Sequence, residues 1–228
     1  MPAGRLSVLK GINFELHAGE MAFIVGRSGS GKSTFLHLLG GLDVPSAGKI
    51  SFEGHDMTRF NEKELARLRN LRFGFVFQFY HLLPELTVYE NVLLPTMIAR
   101  KSDVSWVKEI LKRVKLLSRQ DYYPSELSGG EKQRVAIARA LANKASVVFC
   151  DEPTGNLDEE TAETIFTLLT ELNRQEGQSF LIVTHDETLA WRYPHPVFRL
   201  HEGILMREER GQKVDIKPVQ QKQENRQN

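Results

Sequence analysis

The run Phe23-Ile24-Val25-Gly26-Arg27-Ser28-Gly29-Ser30-Gly31-Lys32-Ser33-Thr34 sets a glycine-rich turn between an apolar strand-like segment and a helix-like one, Phe35-Leu36-His37-Leu38-Leu39. Gly26, Gly31, Lys32 and Ser33 fill the spacing G-x-x-x-x-G-K-[ST]. The residue types state the chemistry. Glycines let a backbone curl so that successive N–H groups aim at one phosphate chain, and a helix opening at Lys32 adds the positive end of its dipole. Lys32 brings a mobile charge to β- and γ-phosphates, and the Ser33 hydroxyl suits Mg²⁺. Gly26, Arg27, Ser28, Gly29, Ser30, Gly31, Lys32, Ser33 and Thr34 are therefore the candidate set for a nucleoside triphosphate, read as ATP with Mg²⁺.

Three further apolar runs end in polar residues. Val147-Val148-Phe149-Cys150 leads to Asp151-Glu152, Phe73-Gly74-Phe75-Val76-Phe77 to Gln78, and Phe180-Leu181-Ile182-Val183-Thr184 to His185. Ligands of an open parallel sheet sit beyond the carboxyl ends of its strands, so these residues are expected around Lys32. Asp151, with Ser33 and Gln78, is the candidate metal set. Glu152 is the candidate general base, and His185 and Gln78 are candidate catalytic partners. Blander readings exist for each: an acidic pair at a helix start, a solvated strand end, and an idle histidine before an Asp-capped helix. The Pro153-Thr154-Gly155 that follows the acidic pair favours a loop there.

Ser128-Gly129-Gly130-Glu131 has capping-box spacing, a sufficient structural explanation. The same residues also form a second anion cradle at a helix start. One chain needs one such cradle for a γ-phosphate. A head-to-tail homodimer reconciles the two, each nucleotide lying between Lys32 of one copy and Ser128 of the other, with Asn156-Leu157-Asp158 crossing the interface.

These groups need a scaffold. Patterning gives strands at Leu6–Leu16, up to Val25, around Lys49–Gly54, at Phe73–Phe77, Val147–Asp151 and Phe180–Thr184, and a closing hairpin over Val197–Met206. Helices follow Lys32, open at Asn61-Glu62-Lys63-Glu64 and at Thr87, and run from Gly129 to about Ala142 and from Glu159 to Arg174. Val104, Val107, Ile110, Leu111, Val114 and Leu117 share one helical face. The expected fold is α/β: a mainly parallel sheet core, an antiparallel β part and an inserted α-helical sub-domain over about 79–142. The domain spans 1–206, and 207–228 reads as a polar, disordered tail.

The 228 residues suffice for one such domain, with 41% hydrophobic content ordinary for a globular chain. A net charge of +1 argues against nucleic acid as a partner. Cys150 is the single cysteine, which excludes an internal disulfide and suits a reducing compartment. No apolar run approaches the roughly 18 residues of a membrane span. The expected location is cytoplasmic, and any attachment to a membrane would come through another protein.

Together these motifs resemble the nucleotide-binding subunits of ABC transporters. The Walker A loop (Gly26–Thr34), Q-loop (Gln78), signature (Leu127–Glu131), Walker B (Val147–Asp151), base Glu152, D-loop (Gly155–Asp158) and switch His185 stand in family order. The resemblance implies the P-loop ABC ATPase fold and ATP-driven closing and reopening of a homodimer, coupled to integral membrane transporter subunits. Gly40-Gly41-Leu42-Asp43, Phe77–Thr87 and Asp151–Asp158 are similar to one branch, which holds lipoprotein-releasing ATPases, tripartite exporters of macrolides and peptides, and a cell-division ATPase. His81-Leu82-Leu83-Pro84-Glu85 and Glu171-Leu172-Asn173-Arg174 look most like the lipoprotein-releasing members. These drive lipoproteins from the bacterial inner membrane towards the outer one, the cargo being handled by partner chains, with the ATPase on the cytoplasmic face. A related export pump or the division complex is the alternative.

The chain departs from that family pattern in one place. No aromatic residue precedes Phe14, where the family carries one that stacks on adenine, and the first strand of the usual β sub-domain is missing. Either a start upstream of Met1 would supply both, or adenine is held more loosely. The segment Phe79–Leu86 is apolar for a loop. Leu82, Leu83 and Leu86 are expected either to pack inside the helical part or to line a groove for a helix of the membrane partner.

Overall fold

The computed structural model describes residues 7–101 and 103–209. Its elements are β1 (Met21–Val25), α1 (Lys32–Leu39), β2 (Ser51–Phe52), β3 (His55–Asp56), α2 (Glu62–Arg72), β4 (Phe73–Phe77), α3 (Val88–Ile98), α4 (Val104–Arg113), α5 (Gly129–Leu141), β5 (Val147–Asp151), α6 (Glu159–Glu176), β6 (Ser179–Thr184), α7 (Glu187–Arg192), β7 (Val197–His201) and β8 (Ile204–Glu208). The main sheet runs β4-β5-β6-β1-β7-β8, and β2 and β3 form a small separate hairpin. The first five strands of that order are parallel, and β8 returns antiparallel on β7.

The strand period of two divides the core into two layers. Met21, Phe23 and Val25 of β1, Val148 and Cys150 of β5, and Phe180 and Ile182 of β6 face one way. They meet Val135 and Ile137 of α5, Ile165, Phe166 and Leu169 of α6, and Leu189 of α7. Ala22, Ile24, Phe149, Leu181 and Val183 face the other way, onto Phe35 and Leu36 of α1 and Leu65 of α2. Val88, Val92, Val107, Ile110 and Leu111 of α3 and α4 belong to the first layer, so the inserted helices share one continuous core with the sheet.

Local signals in the sequence explain the helix starts. Asn61 and Glu64, Thr87 and Glu90, and Ser128 and Glu131 all form complete capping boxes. On the α4 face Val107, Ile110, Leu111 and Val114 are fully buried, while Val104 and Leu117 at its ends are exposed.

Three expectations need correction. Residues 7–16 are not a strand, and Leu6 lies outside the described residues. Their alternation is genuine, since Ile12, Phe14 and Leu16 pack on the second core layer, but they join no strand ladder. The ring of Phe14 meets those of Phe35 and Phe198 edge-on, and Lys10 N–H donates to Gly203 O across 2.8 Å. The inserted helical part, expected from about residue 79, begins as helix only at Val88. Phe79–Leu86 is an irregular loop, held by two side chains from helices. Asn91, fully buried, donates to Leu83 O, Leu86 O and Thr87 O, and Arg139 donates to Tyr80 O and His81 O. Last, β8 continues through Arg207 and Glu208, past the expected domain end at Met206. An edge strand needs few apolar residues, and Glu208 is there to pair with Arg199. Of the expected tail over 207–228, residues 210–228 lie outside the described residues.

Candidate active site

The register aligns the strand ends. Phe77 lies beside Asp151, Asp151 beside Val183, and Val25 beside Thr184, so β4, β5, β6 and β1 finish at one edge. Gln78, Asp151, Glu152, His185 and the loop Gly26–Gly31 all leave the sheet there.

The loop admits little besides glycine at its first position. Gly26 has φ 155°, and a Cβ on it would stand 2.3 Å from Leu200 O of β7. At the far end, α1 opens on Gly31 with no side-chain cap and no acidic residue in its first turn. The other six α-helices among the described residues all carry a capping side chain: Asn61, Thr87, Asp103, Ser128, Asp158 and Asp186. A helix start whose N–H groups have no internal acceptor suits an external anion. Ser30 Oγ, buried in the same loop without a hydrogen-bond partner, adds a further polar atom there.

Lys32 is only 7% exposed. Its Nζ donates to Gly26 O at 2.8 Å and Arg27 O at 3.3 Å, and lies 3.6 Å from Glu152 Oε1. Glu152 adopts φ 47°, a left-handed conformation costly for a residue with a Cβ. That turn is held by its own N–H on Val183 O at 2.9 Å. It carries the carboxylate across to β6, where Oε2 accepts the His185 N–H at 3.1 Å and lies 2.9 Å from His185 Nδ1. One carboxylate thus spans the phosphate-loop lysine and the histidine.

Next to it, Ser33 Oγ donates to Asp151 Oδ1 at 3.1 Å. Burial pushes the Asp151 carboxyl above its ordinary value, and the Ser33 hydrogen bond works against that shift. A hydroxyl and a half-buried carboxylate at the mouth of an anion site fit a small hard cation such as Mg²⁺, which takes one or two carboxylates with the remaining oxygens from phosphates and water. The described residues hold no cluster of three or more His, Cys, Asp and Glu for an all-protein metal cage, in keeping with that sparse donor set.

Gln78 reaches Asn156 rather than Lys32. Its Nε2 donates to Asn156 Oδ1 at 3.2 Å, and Asn156 Nδ2 donates back to Gln78 O at 3.1 Å. Ser128, Gly129 and Gly130 stand apart from the loop. They begin α5, which lies on the opposite face of the sheet from α1. There Glu131 N–H donates to Ser128 Oγ at 3.3 Å, and the Glu131 carboxylate accepts the Ser128 N–H, a bond that holds its pKa below the ordinary value.

One supporting group was invisible to sequence reading. Arg199 on β7 forks onto Glu187, the residue two after His185, through bonds of 2.5 and 2.7 Å, and also pairs with Glu208. It ties the start of α7, and so the histidine loop, to the sheet. An arginine on a strand with its acids nine and twelve residues away gives no local signal.

A parallel strand, a glycine loop bent around a buried lysine, an uncapped helix behind it and two successive carboxyls at the end of another parallel strand of the sheet define a P-loop nucleoside triphosphatase. Within that class the chain belongs to the ABC transporter family, whose model it matches over residues 9–155. It binds ATP and is the ATP-hydrolysing subunit of such a transporter. It is 52% identical over 208 residues to the lipoprotein-releasing system ATP-binding protein LolD of Idiomarina loihiensis, covering 90% of this chain and 91% of that one. Among solved structures it is similar to the dimeric bacterial ABC transporter cassette MJ0796, at 38% identity and TM-score 0.80 over 92% of this chain and 94% of that one. A post-hydrolysis dimer of MJ0796 bound to ADP and Pi matches with TM-score 0.79, again at 38% identity, over 89% and 90% of the two chains. The cbiO1 protein of Clostridium perfringens, part of the transporter complex cbiONQ, matches at 33% identity and TM-score 0.80 over 87% and 80%.

Proposed function

We propose that this chain powers the release of lipoproteins from the bacterial inner membrane, as a peripheral ATPase on its cytoplasmic face. It works as a homodimer bound to integral membrane subunits that handle the cargo. The 52% identity to a LolD protein along nearly the full length of both chains supports the cargo class. No helix among the described residues is long and apolar enough to cross a membrane.

The observation that carries the chemistry is the position of Glu152 between Lys32 and His185. Lys32 and the N–H groups of Gly26–Thr34 bind and orient the β- and γ-phosphates. Ser33, Asp151 and Gln78 would hold Mg²⁺, which supplies charge neutralisation on the phosphate oxygens. When a γ-phosphate takes over Lys32, the Glu152 carboxylate is released to accept a proton from water in line with the phosphorus. His185 keeps Glu152 aimed, through its backbone and ring nitrogens. The α5 start of the second copy, Ser128 to Gly130, closes over the γ-phosphate and excludes solvent.

Reconstitution with the membrane subunits in vesicles tests the whole reading. ATP should release a lipoprotein from the vesicles, and Glu152→Gln should stop release while nucleotide still binds. Undiminished release by Glu152→Gln would remove Glu152 from the mechanism. ATP turnover without any release of lipoproteins would overturn the cargo.

A further inference from the structure

Gln78 and Asn156 lie 78 positions apart and close a ring of two hydrogen bonds. The ring uses both polar ends of the Asn156 amide but only the nitrogen end of Gln78. A primary amide has a donor end and an acceptor end of nearly the same shape, and its neighbours decide which way it points. Here Nε2 is committed to Asn156 Oδ1, which leaves Oε1 as the free end. Gly155 completes the seat. A Cβ on it would stand 2.8 Å from Gln78 Nε2 and 3.0 Å from Cδ, so the amide can lie against the backbone only because nothing projects there. The loop that forms the seat is folded on itself directly after β5, where Gly155 N–H donates to Glu152 O at 3.1 Å and Leu157 N–H to Thr154 O at 3.0 Å.

We infer that Asn156 is a positioning residue that fixes the amide of Gln78 with its oxygen, the only end a hard cation or the hydrogen of a water can use, turned free for the metal and phosphate. This rests on the proposed role of Gln78 at Mg²⁺. A flipped Gln78 would present N–H donors and could not ligate. The competing explanation is a staple that merely joins the loops after β4 and β5.

Binding of the non-hydrolysable analogue AMP-PNP to the full chain, with Mg²⁺ and with EDTA, separates the two. Asn156→Leu should weaken AMP-PNP binding about tenfold with Mg²⁺, the usual scale for losing an orienting partner of a metal ligand. Binding in EDTA should stay unchanged, since Lys32 and the loop are untouched. Gln78→Ala should lose at least as much with Mg²⁺, and Asn156→Leu on top of it should add nothing further. Equal losses with and without Mg²⁺, or additive losses in the double variant, would make Asn156 a staple and overturn the inference. Normal Mg²⁺-dependent binding by Asn156→Leu while Gln78→Ala is weak would overturn the inference alone. Normal binding by Gln78→Ala would remove Gln78 from the metal, and the inference with it.

Discussion

Ser33 Oγ donates to Asp151 Oδ1 across 3.1 Å, joining the first turn of α1, the helix after β1, to the end of β5, a strand that β6 separates from β1 in the sheet. The bond holds a half-buried carboxylate whose partial burial makes ionisation costly. A carboxyl whose pKa rises on folding binds its proton more tightly in the native state. Its charge therefore opposes folding above the raised value, and the penalty fades as pH falls towards the ordinary 3.8. Asp151→Asn should raise the melting temperature of the nucleotide-free protein at pH 7, with a gain that shrinks as the pH is lowered. It should also lose Mg²⁺-dependent nucleotide binding. A variant that melts no higher than the wild type at pH 7 would contradict this account.

Glu152→Gln keeps an oxygen to accept the His185 N–H but cannot take a proton from water. Steady-state ATP turnover should fall roughly 100- to 10,000-fold, the range expected for a general base. Nucleotide binding should persist, leaving a dimer that forms with ATP and does not reopen. Unchanged hydrolysis by the purified variant would exclude the role.

Lys32→Ala acts earlier, because Lys32 Nζ sits inside the loop on Gly26 O. Nucleotide affinity itself should drop, measurable by titration calorimetry in EDTA as well as in Mg²⁺. Equal affinity in wild type and variant would show that the charge contributes nothing to binding.

Ser128 caps α5, so Ser128→Arg removes a cap worth about 1 kcal/mol whatever else it does. The dimer reading adds that the folded variant fails to dimerise with ATP. Mixed with Lys32→Ala chains, it should form dimers with one intact composite site and one doubly defective site, recovering part of the activity. Normal ATP-driven dimerisation of Ser128→Arg alone would defeat the reading.

Leu82 packs against the core, whereas Leu83 and Phe79 are 42% and 67% exposed. The loop that carries them is held from behind by Asn91 and Arg139, which gives a partner a rigid surface. Leu83→Glu should leave the ATPase activity of the isolated subunit nearly intact and abolish co-purification with the membrane subunits. If the variant still assembles and supports lipoprotein release, the docking surface lies elsewhere.

Much of this was legible in the chain because it rests on short-range physics. The phosphate loop, the capping boxes at Asn61, Thr87 and Ser128, and the strands Phe73–Phe77 and Val147–Asp151 each depend on residues a few positions apart, and all formed as read. Only the tertiary structure decided which strands are neighbours. Inserting β6 between β5 and β1 brings His185 onto Glu152, and pairing β4 with β5 lets Gln78 meet Asn156. The same topology sets Ser128 across the sheet from Lys32 and leaves residues 7–16 extended without a ladder. Alternation marks a strand's two faces but says nothing of its partner, because pairing is settled by crossover connections and a shared core rather than by any local period.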